Sequence, residues 1–261
     1  MIPGDEGRMP LIAHLAELRK RLMICIAGFV VAFAVCFYFS ENIFSLLMFP
    51  LRGYLVFSMA SPHIRYMATP DPPKLYFMGI TEAFWMNMKI AMLAGLVLTL
   101  PLIFQQIWKF ISPGLLVKEK KLASPFVIGG TILFVMGALF CYLIVLPFAI
   151  RFLLNYKTQY LTPMLTVGKY MDFCLKFIMA FGIVFELPMF IILLVRMGIV
   201  SADTLAKNRK YAILGAVIAA AILTPSPDAF NQILMAIPMV LLYEVGILLA
   251  RILIRRPAGI G

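Results

Sequence analysis

Glu186 is a lone carboxylate inside the apolar run Phe177–Val195 (FIMAFGIVFELPMFIILLV), ten residues before Arg196. A helix of roughly 20 apolar residues crosses the ~30 Å hydrocarbon layer of a bilayer. Ten residues at ~1.5 Å each place Glu186 about 15 Å deep, near the midplane. A carboxylate there costs at least ~2.5 kcal/mol, so its default reading is functional. The competing reading is a protonated Glu hydrogen-bonded to a neighbouring helix. Gly182 and Pro188 on either side mark an atypical helix.

A second carboxylate, Glu119, sits in the polar stretch Gln105–Lys121 (QQIWKFISPGLLVKEKK) among Lys118, Lys120 and Lys121. Two chemistries fit: a solvated, self-compensating charge cluster, or a receptor for an incoming arginine, since guanidinium and carboxylate pair through a bidentate fork. Spacing alone leaves both open.

The remaining polar residues read more simply. Glu82 and Lys89 share a helical face, and Asp172 and Lys176 form an i, i+4 pair. Glu244 shares a face with Arg251 near one interface. In Thr224-Pro-Ser-Pro-Asp228, Asp228 has the position of an N-cap, and Gln232 follows on the same face, available to hydrogen-bond another helix. No Ser partnered by His, phosphate-binding loop or zinc motif occurs. Cys25, Cys36, Cys141 and Cys174 lie in or beside apolar segments, and His14 and His63 add no metal spacing. Neither enzyme activity nor a cofactor is expected.

The elements that must carry these residues are membrane helices. The 261-residue chain is 63% hydrophobic and 13% charged, against ~45–50% and ~25% in soluble domains. Six helices are expected: 22–39, 78–108, 122–147, 170–195, 211–224 and 229–250, in a single domain, 1–261. The fifth, with about 14 residues, falls short of the ~17 usually needed to span. The net charge of +11 does not indicate nucleic acid, because the basic residues fall at the ends of apolar segments. Fifteen lie on one side: Arg8, Arg19, Lys20, Arg21, Lys109, Lys118, Lys120, Lys121, Arg196, Lys207, Arg209, Lys210, Arg251, Arg255 and Arg256. Six lie on the other: Arg52, Arg65, Lys74, Arg151, Lys157 and Lys169. Both termini are therefore expected in the cytoplasm. The polar, basic first 21 residues carry no cleavable signal pattern. The outer loops 40–77 and 148–169 are expected to form a cap, with Ile43–Phe49 along the interface. Before the first span, Leu11, Leu15, Leu18 and Leu22 form a stripe that reads as a separate interfacial helix.

Four stretches together resemble the TatC family, the polytopic core of the twin-arginine protein translocase. They are His14-Leu-Ala-Glu17-Leu-Arg19-Lys-Arg21-Leu22, Trp108-Lys-Phe110-Ile-Ser-Pro113-Gly114-Leu-Leu-Val-Lys-Glu119, Phe181-Gly-Ile-Val-Phe-Glu186-Leu-Pro188 and Thr224-Pro-Ser-Pro-Asp228-Ala-Phe-Asn-Gln232. The resemblance implies an all-α, glove-like arrangement of six helices in the bacterial cytoplasmic membrane, concave on one face and capped outside. It implies recognition of folded precursors through paired arginines in their signal peptides, and export driven by the proton-motive force. Glu17, Arg19, Phe110 and Glu119 would form the cytoplasmic signal-peptide site, which favours the arginine-receptor reading of Glu119. Glu186 and Gln232 would face the single-span partners TatA and TatB, and Pro50 matches a proline of the first outer loop. Further copies of the chain itself and the lipid bilayer complete the expected partners. The competing classes are a proton-coupled small-solute transporter, which would need more polar groups at the depth of Glu186, and a structural scaffold in which Glu186 is merely hydrogen-bonded.

Overall fold

The structure, a computed structural model, describes residues 11–57, 64–68, 73–111, 123–156, 164–224, 226 and 228–253. Helix α1 (Leu11–Tyr38) is followed by the short α2 (Ser40–Leu47) and α3 (Phe49–Arg52) and the strands β1 (Gly53–Phe57), β2 (Ile64–Ala68) and β3 (Leu75–Tyr76). Then come α4 (Glu82–Ile111), α5 (Ala123–Phe140), a π-helical turn over Cys141–Val145, and α6 (Leu146–Asn155). Strand β4 (Leu165–Thr166) leads into α7 (Val167–Phe185), α8 (Leu187–Arg196), α9 (Ala202–Lys207), α10 (Arg209–Leu223) and α11 (Ala229–Leu253).

Among the described residues, five helical segments are long and apolar enough to cross a membrane: Leu15–Tyr38, Glu82–Phe110, Ser124–Asn155, Val167–Arg196 and Ala229–Leu253. The fifth expected span corresponds to α10, whose 15 residues extend only about 22 Å at ~1.5 Å per residue. The Leu11–Leu22 stretch is not a separate interfacial helix, because α1 runs unbroken from Leu11 to Tyr38. No Pro or Gly occurs from Leu11 to Ala27 to stop the hydrogen-bond ladder, so the span continues outward.

In the second, third and last spans, prolines sit within the helical path without ending it. The third span was expected to stop at Pro147 but continues to Asn155. Pro147 cannot donate to the carbonyl four residues earlier and its ring crowds it; the wider π turn just ahead accommodates both effects. Pro101 and Pro238 lie inside α4 and α11.

Residues 40–77 form more structure than an interfacial segment. Strands β1 and β2 pair antiparallel, from Gly53 opposite Ala68 to Phe57 opposite Ile64. The runs Tyr54-Leu-Val-Phe57 and Ile64-Arg-Tyr-Met67 are rich in aromatic and β-branched residues suited to strands. Strand β3 pairs in parallel with β4, which joins the two loop regions at one end of the bundle. Two tyrosines fasten this cap to the helices. The Tyr142 hydroxyl donates to the Leu46 carbonyl at 2.7 Å, and the buried Tyr170 hydroxyl to that of Leu47 at 2.9 Å. Pro50 is buried in the first turn of α3, where its missing N–H leaves no helical bond unmade.

The core centres on α7, where Phe177 and Phe181 are fully buried and stack with centroids 6.2 Å apart. Phe140 from α5 packs on Phe181 at 5.9 Å and on Phe185 at 5.6 Å. This close crossing depends on Gly137, since a Cβ there would lie 2.5 Å from the Phe181 carbonyl oxygen and 2.7 Å from the Phe185 ring. Backbone cannot move aside as a side-chain tip can. Gly137→Ala is expected to destabilise the α5–α7 contact by about 1–3 kcal/mol, the usual cost of overpacking. The check is the melting temperature of the detergent-solubilised variant; an unchanged value would show that the helices separate without cost.

Candidate functional site

Glu186 stands at a break. It is the last residue before α8 and the first after α7, with φ −74° and ψ −12°. Its N–H reaches back three residues to the Ile183 carbonyl at 3.0 Å, and its own carbonyl accepts from Phe190 at 2.9 Å. The cause is Pro188, which has no N–H for the carbonyl of Val184 and sits in the first turn of α8, where none is required. The fourth expected span is thus two helices meeting at the carboxylate. Its backbone there carries less of the helical bonding that satisfies a transmembrane segment.

The carboxylate occupies space that a glycine leaves open. Its Oε2 lies 3.4 Å from where a Cβ on Gly130 of α5 would stand, beside the Phe104 ring of α4. Oε1 is buried and has no hydrogen-bond partner in the structure. The scaffold reading requires a donor from a neighbouring helix, and among the described residues none reaches this oxygen.

Gln232 does not join Glu186. Its Nε2 donates to the Val217 carbonyl of α10 at 3.2 Å, near the start of α11. The α8–α11 crossing lies further along, where a Cβ on Gly246 would meet Pro188 Cα at 3.1 Å. Gln232 is fourteen residues before Gly246, or about 21 Å along the axis. The two polar groups are therefore separate positions.

Asp228 closes the N-terminus of α11. Its Oδ1 accepts the Asn231 N–H at 2.8 Å and its Oδ2 the Asn231 side-chain amide at 2.8 Å. The same amide donates to Ser226 Oγ at 2.8 Å. Partial burial would raise the carboxyl, but hydrogen bonds from Ser226, Asn231 and Phe230 outweigh it and hold it below the usual carboxylate range. A folded value below the unfolded ~3.9 adds stability above that pH and loses it as pH falls through the folded value. Asp228→Ala is expected to cost about 1 kcal/mol at neutral pH, the usual worth of such a cap. The gap to the parent protein should close below pH ~4. Thermal unfolding across pH checks this, and a gap that persists in acid would rule the cap out as its source.

At the other end of the bundle, the structure describes three of the four residues expected at the arginine site. Glu17 and Arg21, one turn apart on α1, form an ion pair, and Arg19 is exposed. Phe110 is half-buried near the end of α4. Two residues earlier, Trp108 is buried, packs at a tilt on Phe126 with centroids 4.9 Å apart and leaves its ring nitrogen without a partner among the described residues. Glu119 lies outside the described residues.

Three expected pairings resolve differently. Glu82 does not turn to Lys89: it accepts the Gly168 N–H at 2.7 Å and the Met78 N–H at 2.6 Å, tying the start of α4 to that of α7. Lys89 instead pairs with Asp172 across the helices at 2.6 Å, which takes Asp172 from Lys176. Glu244 receives Arg209 in a fork, at 2.6 and 2.9 Å, while Arg251 turns to Asp203 at 2.9 Å. Each within-helix pairing lost to a partner on another helix, and helix periodicity carries no signal of such partners.

A family model described as Sec-independent protein translocase protein (TatC) matches residues 13–238. The chain is similar to the Sec-independent protein translocase protein TatC of Magnetococcus marinus, 39% identical over 253 residues, covering 97% of this chain and 88% of that one. It is 36% identical over 246 residues to the protein of the same name in Escherichia coli strain K12, covering 94% and 90%. A crystal structure of the twin-arginine translocase receptor TatC in DDM superposes with TM-score 0.76 at 38% identity, covering 91% of this chain and 99% of that one.

Proposed function

Because this chain belongs to the TatC family, we propose that it is the polytopic receptor core of a Sec-independent, twin-arginine protein translocase in a bacterial cytoplasmic membrane. The observation that carries this reading is the match of both sequence and fold along almost the whole chain. A translocase core has no bond-making chemistry to perform, and the chain is not an enzyme. Its work is binding and rearrangement, which suits unsatisfied polar groups held in apolar surroundings.

In finer detail, six helices form a concave, glove-like face with both termini in the cytoplasm. Residues 40–77 and, beyond the end of α6, residues 156–169 cap the outer side, where the β3–β4 pairing supports their acting together. At the cytoplasmic side Glu17, Arg19, Phe110 and Glu119 bind the twin-arginine signal peptide of a folded precursor. Glu186 and Gln232, at two depths, contact the membrane helices of TatA- and TatB-type subunits, and further copies of the chain complete the assembly. The unpartnered Oε1 of Glu186 supports this role over that of an internal scaffold.

Export by cells that lack their own TatC tests the reading. With matching TatA- and TatB-type subunits, the chain should deliver a folded fluorescent reporter bearing an Arg-Arg signal to the outer side, and not the Lys-Lys version. Equal delivery of both, or retention of both when the chain is in the membrane, would overturn it.

A further inference from the structure

Between α1, α4, α7 and the end of α10 runs a groove of about 680 Å³. This lies within the ~300–1,000 Å³ range of small-molecule sites. Its walls are apolar, among them Phe29, Leu93, Leu96, Met179, Ile183 and Ile222. Both Ile183 and Ile222 are exposed on its open side. Its polar lining is confined to Lys89, Asp172 and Lys176. These sit at the end of the groove nearest the cap, seven residues past the start of α4 and five and nine residues past the start of α7. From Lys89 to Leu96 the apolar part continues for about 10 Å toward the middle of the span.

The charges do not cancel. Lys89 and Asp172 are paired at 2.6 Å. Lys176 makes no ion pair among the described residues and is exposed toward the open side. The site is therefore one ammonium in excess, about 13 Å inside the start of α7 at ~1.5 Å per residue. Lys176 directly precedes the apolar run 177–195 and lies ten residues, about 15 Å, from Glu186 near the midplane, so its ammonium sits at headgroup level, where lipid phosphates lie. The occupant that matches both parts is amphiphilic, with an anionic head for Lys176 and a hydrocarbon tail for the groove.

We propose that this groove binds one anionic phospholipid of the leaflet on the cap side, its phosphodiester against Lys176 and the Lys89–Asp172 pair, and an acyl chain along Leu96, Met179 and Ile183. A zwitterionic lipid fits less well, because its ammonium would need Asp172, which Lys89 already holds. The bound chain would continue the surface of α1, α4 and α7 on the face where Ile183 lies three residues before Glu186. The lipid thus forms part of the wall that a partner helix meets on its way to that carboxylate.

Native mass spectrometry of the full-length protein, titrated with dioleoyl phosphatidylglycerol, dioleoyl phosphatidylcholine or tail-less glycerol phosphate, tests this. One phosphatidylglycerol should be retained about tenfold more tightly than phosphatidylcholine, consistent with one charge-assisted hydrogen bond. Lys176→Gln should erase that preference by weakening phosphatidylglycerol more than phosphatidylcholine, whose choline already offsets its phosphate charge, and Met179→Trp should weaken both lipids by filling the groove. Equal retention of the two lipids, a preference that survives Lys176→Gln, or displacement by glycerol phosphate at equal concentration would overturn the proposal. As a check in native membranes, a photoreactive benzoylphenylalanine at position 222 should give an adduct of phospholipid mass. A protein-mass adduct would instead assign the groove to a helix or signal peptide. These outcomes do not depend on export, so failure here leaves the receptor reading standing.

Discussion

Glu186→Ala membranes are expected to bind precursor and to export almost none of it. The break between α7 and α8 is set by Pro188 and survives the substitution, so the fold should persist. What is lost is a carboxylate whose Oε1 has no donor among the described residues. A partner helix supplying that donor would gain a hydrogen bond to a charged or protonated acid in a medium without competing water. Such a bond is worth about 1.5–3 kcal/mol if the acid is charged. Losing it weakens the affinity for the partner roughly 10- to 150-fold. Glu186→Gln separates the possible forms of the interaction. It keeps an acceptor oxygen and should retain part of the export if the partner donates to a neutral acid, and none if a charge is required. The readouts are export of a folded reporter and site-specific crosslinking to the partner helix. A Glu186→Ala protein that exports at the normal rate would remove Glu186 from the mechanism.

How much of this was visible in the chain depends on the range of the interaction involved. The break at Glu186 was signalled locally by Pro188 and Gly182, and the depth of the carboxylate by simple counting from Arg196. The shortness of α10 was equally plain, since length is a local property. The β1–β2 hairpin was missed because its prolines and short apolar runs suggested irregular loop. Strand pairing is a contact between segments that no single-segment periodicity reports. The same limit explains the ion pairs. Lys89 was matched with Glu82 and Asp172 with Lys176 because helical spacing joins them, whereas the fold joins Lys89 to Asp172 across 83 residues. The π turn before Pro147 was hidden for another reason: proline announces a disturbed ladder but not whether the helix stops, bends or widens.

These differences also bear on how the two functional ends are held. Glu186 rests against α4 and α5 through Phe104 and Gly130, and α8 continues from it onto α11 at Gly246. The fork Arg209–Glu244 and the ion pair Arg251–Asp203 then tie α9, α10 and α11 together at the end where the signal peptide would arrive. The helix pair that meets at Glu186 packs on that tied unit through the close α8–α11 approach at Gly246. This packing gives no reason for the two sites to fail together when only one side chain is removed.

Glu119→Ala is therefore expected to produce the opposite defect to Glu186→Ala: contact with partner helices kept, precursor binding abolished. Glu119 is the only carboxylate among Lys118, Lys120 and Lys121, so its removal raises the net charge of residues 118–121 from +2 to +3 and leaves no acceptor among them. An incoming Arg-Arg pair then loses its bidentate acceptor and meets like charge in its place, and both effects act in the same direction. Loss of one charge-assisted fork at about 1.5–3 kcal/mol, with repulsion added, corresponds to at least a tenfold and up to a several-hundredfold weaker complex. Photocrosslinking of a signal peptide from a neighbouring position in the 112–120 stretch measures it directly. The Arg-Arg peptide should give an adduct with the parent protein and none with Glu119→Ala. A Lys-Lys peptide should already fail with the parent protein, because an ammonium cannot reproduce the planar fork. Glu119→Asp, which keeps the charge on a shorter arm, should recover part of the adduct. Undiminished crosslinking in Glu119→Ala would show that Glu17 and Phe110 suffice for recognition, and would return Glu119 to the reading in which it only balances the lysines around it.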